Sequence, residues 1–132
     1  MKAIGSYALE VTTQLSFEDA IARVTDLLAE QGFGVLTEID VQATFRKKLS
    51  LESRPYKILG ACNPGFAHRA IGAEPHVGVL MPCNVVVWDE GTHRVVTAME
   101  PRLMASVIDL PELAEVAAEV SVRLHSVLDQ LG

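Results

Sequence analysis

Aromatic residues are scarce in this chain: four Phe, two Tyr and one Trp, or 5% of 132 residues. Basic residues are also in the minority, 11 against 17 acidic, for a net charge of −6. Proteins that grip nucleic acid rely on basic surfaces, with stacking aromatics where single strands are held, so that class is disfavoured. Only two cysteines are present, too few for a disulfide scaffold, and the expectation is a cytoplasmic chain with reduced thiols. No apolar run approaches the ~18–20 residues of a membrane span. The opening residues, MKAIGSYALEVTTQLSFEDA, lack the uninterrupted apolar core of a signal peptide. No membrane role is expected. Serine nucleophile elbow, phosphate loop, dinucleotide fingerprint and paired-histidine zinc helix are all missing. What is there, 49% apolar and 21% charged residues, is the composition of an ordinary folded chain, expected to form a single domain over residues 1–132.

Gly and Pro occur singly, without linker, repeat or low-complexity tract. Charge is uneven: residues 46–57 hold Arg46, Lys47, Lys48, Arg54 and Lys57 against Glu52 alone. Ile4 to Thr12 is β-prone. Ser16 then suits an N-cap with Asp19 three residues on, and Phe17, Ala20, Ile21, Val24, Leu27 and Leu28 recur at helical spacing up to Gly32. Val35 to Ile39 reads as a strand, with Asp40 capping a short helix to Leu49. Tyr56 to Cys62 reads as a buried strand. Asn63-Pro64 starts a helix, Asn as cap and Pro at the first position, that Gly72 closes. Val85 to Trp88 and Arg94 to Met99 form a hairpin around Asp89-Glu90-Gly91. The last helix is expected to be capped by Asp109, its stripe being Leu113, Ala117, Val120, Leu124, Val127 and Leu131. The order is α+β.

The chemistry concentrates in two Cys-Asn dipeptides, each beside a proline: Cys62-Asn63-Pro64 and Pro82-Cys83-Asn84. Cys62 precedes a predicted helix start, where free N–H groups and the helix dipole favour a thiolate or a bound anion. His68 lies on that helix, within reach of its start in one arrangement. Cys62, His68 and Cys83 together would suit a thiophilic metal such as zinc or copper(I), although their spacing matches no standard metal motif. Asn63 and Asn84 are candidates for polar contacts to a ligand. Glu38, two residues before Asp40, is a weaker candidate. The competing view is that both cysteines are small core hydrophobes, in a structural or protein-interaction module whose partner surface includes Arg46-Lys47-Lys48. A third possibility, a dithiol redox enzyme, requires the thiols within about 7 Å between Cα atoms. His76 and His93 are expected in solvent, and His125 at the edge of the apolar stripe.

Three stretches, Gly32 to Asp40, Arg54 to Pro64 and Leu80 to Val87, resemble the bacterial and archaeal family catalogued as domain of unknown function 302. The resemblance implies a curved, mostly antiparallel sheet backed by helices on one side, related in outline to the TATA-binding-protein fold. It also implies a homodimer. It implies no established activity, and the fold likeness does not carry DNA binding. Another branch of the family has Gly-Asn-Pro in place of Cys62-Asn63-Pro64 and Leu-Pro-Leu in place of Met81-Pro82-Cys83. Asn63-Pro64 and Pro82 therefore read as architecture, and the cysteines as a specialisation of one branch.

Overall fold

A computed structural model describes residues 1–131. Six antiparallel strands form one sheet in the order β1-β2-β6-β5-β4-β3. They are β1 (Lys2–Ile4), β2 (Ala8–Thr13), β3 (Gly34–Asp40), β4 (Tyr56–Cys62), β5 (Cys83–Asp89) and β6 (Arg94–Met99). The helices are α1 (Phe17–Glu30), α2 (Val41–Leu49), α3 (Pro64–Ala73), α4 (Arg102–Val107) and α5 (Pro111–Leu131), with a short 3-10 helix at Pro75–Leu80. The sheet curls into a half-barrel, and the helices back one side of it. This is the α+β architecture expected from the sequence.

Strand periodicity explains which face is covered. Leu59 and Ala61 of β4, Val85 and Val87 of β5, Val96 and Ala98 of β6, and Leu9 and Val11 of β2 all point to the helix side and are buried. Against them lie Val24, Leu27 and Leu28 of α1 and the whole predicted stripe of α5, from Leu113 to Leu131. Burying one such Leu or Val side chain stabilises the fold by roughly 1.5–3 kcal/mol. That face is the core.

Local chemistry sets the element ends. The Ser16 hydroxyl accepts from the Asp19 N–H at 3.1 Å, and Asp40 accepts from Ala43 at 2.8 Å, so both predicted caps form. Gly32, at φ 85°, closes α1 through a paired motif in which Phe33 N–H donates to Leu28 O and Gly32 N–H to Ala29 O.

Four expectations need correction. The strand expected over Ile4–Thr12 is two strands, because Gly5 takes φ 53° and turns β1 back onto β2. Helix α3 runs through Gly72 to Ala73; that glycine is not left-handed, and Pro75 stops the helix instead. Asn63 holds the cap position of α3 without a side-chain cap bond. Its carbonyl accepts from Ala67 N–H at 2.9 Å, while its amide turns elsewhere, as shown below. Finally, α5 begins at Pro111. Its first turn closes on the Leu110 carbonyl, so Pro at the first helical position sets the start rather than a cap by Asp109.

Candidate functional site

Where β4 ends and β5 begins, three helices converge on the rim of the sheet and leave a small cavity of about 40 Å³. Each wall follows from a local feature. The glycine stop of α1 aims Phe33 into it. Pro64 starts α3 immediately after Cys62, which places Phe66, Ala67 and Ala70 along the cavity. Val116 and Val120 of α5 and Met104 of α4 close the far side, and Met99 and Pro101 come from the end of β6. Both cysteines line it, together with Asn63, Met81 and Pro82. The lining is almost wholly apolar.

Gly60 makes this packing possible. It lies one position ahead of the β4 residue paired with Cys83, and a methyl group there would sit 2.9 Å from Pro82 Cγ and inside the contact distance of Thr37 Oγ1. The bare backbone lets the Pro82 ring settle on β4, and that seats Cys83 beside the cavity.

Asn63 acts as a stitch. Its Nδ2 donates to the Gln31 carbonyl at 3.3 Å, and Arg123 of α5 donates to the same oxygen at 3.0 Å. Arg123 also lies over the Phe66 ring, 5.2 Å from its centre. One carbonyl at the end of α1 thus ties α3 and α5 around the cavity mouth.

The thiols differ. Cys83 pairs with Ala61 across the ladder and faces the core with it; Cys62, one residue on, begins on the opposite side of the pleat. Burial pushes the Cys83 thiol up from its ordinary value near 9.0 to about 11, and the nearby Cys62 adds to the shift. Both cysteines are free and half-buried.

The other sequence candidates are placed apart from this cavity. His68 is exposed and does not line it. Phe66, Ala67 and Ala70 occupy one face of α3, and at 100° per residue His68 falls on nearly the opposite face. Among the described residues no group of three His, Cys, Asp or Glu side chains converges as a metal set, so the Cys62–His68–Cys83 triad does not assemble. Asn84 is exposed on the open side of the sheet and lines a different groove there. Glu38 is engaged by Lys57, 2.8 Å away; that bond holds the Lys57 ammonium pKa above its usual range. Asp40 is spent on its cap. His76 is exposed beside Glu74, and its backbone N–H and ring hold that carboxyl below the usual range. His125 sits at the stripe edge, 3.5 Å from Glu100. What the sequence did not mark is the set of methionines, Met81, Met99 and Met104, which look like core residues when read singly.

The family model for Domain of unknown function DUF302 matches residues 9–131. The chain belongs to the DUF302 family. A crystal structure of an uncharacterized conserved DUF302 protein from Bacillus stearothermophilus superposes with a TM-score of 0.87 at 30% identity, covering 95% of this chain and 98% of that one. No curated protein matches the chain. The half-barrel sheet, the helices on one side and the long closing helix are therefore features of the family, and the DUF302 resemblance read from Gly32–Asp40, Arg54–Pro64 and Leu80–Val87 is confirmed. Among the described residues no helix is long and apolar enough to cross a membrane.

Proposed function

We propose that this DUF302 domain binds a small soft ligand, a thiophilic metal or a sulfur-containing molecule, in the cavity between the β4 end and α3. One observation carries the reading: the only two cysteines of the chain, 21 positions apart, line the same small apolar cavity. Cys62 comes immediately before the Asn63–Pro64 start of α3, beside a helix end that attracts negative charge. Asn63 holds the mouth in shape through Gln31. Native mass spectrometry of the reduced protein against Zn(II), Cu(I), thiosulfate and glutathione tests this. An adduct is expected in the wild type that Cys62→Ser loses while its far-ultraviolet circular dichroism stays unchanged. Equal uptake by the variant, or no adduct with any of the four, contradicts the reading.

A second observation favours self-association as an interaction property of the same molecule. The side of the sheet away from the helices carries Ile39, Ile58, Val86, Tyr56 and Trp88, the last two stacked at 5.8 Å between ring centres. Tyr56, Val86 and Trp88, with residues of β1, β2 and β6, frame a groove of about 410 Å³. An apolar patch with aromatics and few charges at its centre resembles the middle of an interface. Two copies related by a two-fold axis would bury it against itself, as a homodimer does. Sedimentation equilibrium is expected to give twice the 14.3 kDa chain mass, and Val86→Glu to return it to one chain mass. A wild-type monomer at all concentrations rules the homodimer out. The basic run Arg46-Lys47-Lys48 fits a partner surface less well, since Arg46 already pairs with Glu52 at 3.3 Å.

A further inference from the structure

The chain contains six sulfur atoms, in Cys62, Cys83, Met1, Met81, Met99 and Met104. Every one of these residues except Met1 lines the single small cavity described above. They arrive from separate places: the end of β4, the start of β5 and the residues just before it, the end of β6, and α4. Methionine is an adaptable core filler and belongs wherever packing is irregular. Here it is used at this one place in the core and nowhere else.

We infer that the cavity is a copper(I) site in which thioether sulfur from Met81, Met99 and Met104 joins the sulfur of Cys62 and Cys83, one of the two as thiolate. The inference rests on reading the cavity as a soft-ligand pocket and adds the identity of the ligand. Three arguments separate copper(I) from the alternatives. Softness comes first: thiolate and thioether ligands select Cu(I), whereas imidazole and carboxylate ligands, which zinc and harder ions accept, are missing from the lining. Charge comes second. One thiolate with neutral thioethers around Cu⁺ makes a site of zero net charge, which an apolar cavity tolerates; Zn²⁺ in the same set leaves an uncompensated positive charge. Reach comes third. Two metal–sulfur bonds of about 2.3 Å each reach about twice as far as one S–S bond, so a single ion can bridge thiols that leave neighbouring strands at different pleat positions.

Loading is a ligand exchange. The S–H bond of one cysteine breaks, an S–Cu bond forms, the proton leaves to solvent, and copper stays in the +1 state throughout. The second cysteine adds its sulfur as the neutral thiol, so no second proton is released and the site keeps zero net charge.

The test is anaerobic competition of the full-length reduced protein against a bicinchoninate–Cu(I) complex, with Zn(II) titrated in parallel. The variants are Met81→Leu, Met99→Leu and Met104→Leu, singly and combined. Leucine conserves volume and apolarity, so the core is retained, and thermal unfolding checks this for each variant. Wild type is expected to take one Cu(I) per chain in preference to Zn(II), and the triple variant to lose affinity by about 100-fold or more. Copper affinity equal to wild type in the triple variant overturns the inference while leaving the thiol pocket intact. Displacement of Cu(I) by equimolar Zn(II) also overturns it. Failure of wild type to take Cu(I) overturns it too, and an adduct with thiosulfate or glutathione would then show that the pocket itself stands.

Discussion

In the folded protein at pH 8, Cys83 is expected to alkylate about 100-fold more slowly than an ordinary thiol. The thiolate is the reactive form, and a thiol pushed from 9.0 to about 11 by burial holds a thiolate fraction lower by about that factor at pH 8. The same shift has a stability consequence whose sign follows from linkage. The unfolded chain releases this proton first as pH rises, so the folded state binds more protons between about 9 and 11 and is destabilised across that window. The contribution is fully present below pH ~9 and lost by pH ~11, up to about 2–3 kcal/mol. Peptide mass spectrometry after timed iodoacetamide labelling separates the two cysteines. Denaturant midpoints from pH 8 to 11, for wild type and Cys83→Ala, isolate the linkage. A Cys83 that labels as quickly as free cysteine, or a variant with the same pH slope as wild type, contradicts the burial assigned to this thiol.

Gly60→Ala is expected to destabilise the protein by about 3 kcal/mol, at the upper end of ordinary overpacking. The added methyl group collides with both Thr37 and Pro82, and neither neighbour moves freely. Thr37 sits beside an irregularity in β3 where the register shifts between Val35 and Thr37. Pro82 is a ring fixed between Met81 and Cys83, so relief at Gly60 comes only by lifting the start of β5. Combining Gly60→Ala with Thr37→Ala removes one of the two collisions and is expected to recover part of the loss. Urea unfolding measures both. A loss below about 0.5 kcal/mol, the range of a neutral surface change, would mean that Pro82 does not need the bare backbone.

The fold was legible because its signals are local. Caps at Ser16 and Asp40, the glycine stop at Gly32 and the stripe from Leu113 to Leu131 each act within a turn or two of the chain. The errors came where a neighbour in space decides. Asn63 carries the right side chain for a cap, yet its amide is drawn to Gln31 by a contact 32 residues away in sequence. Gly72 stays inside α3 because Pro75, not the glycine, ends it. Both cysteines were singled out from their Cys-Asn-proline settings, and the fold does bring them to one cavity. His68, Asn84 and Glu38 fell away for geometric reasons: helix phase turned His68 outward, strand parity put Asn84 on the open side, and Lys57 took up Glu38. The methionines were illegible for the opposite reason. A single Met in an apolar run carries no signal, and only the pairing of β4 with β5 and β6 with β5, together with the placement of α4, gathers three of them beside two thiols.

X-ray absorption at the copper edge of protein loaded with one equivalent of Cu(I) addresses the cavity most directly. The sulfur set of Cys62, Cys83, Met81, Met99 and Met104 predicts a first shell made wholly of sulfur at about 2.3 Å, thinned in the three-methionine variant. A first shell containing nitrogen or oxygen, or copper that washes off without a defined shell, would contradict the claim that this cavity is where the protein takes its ligand.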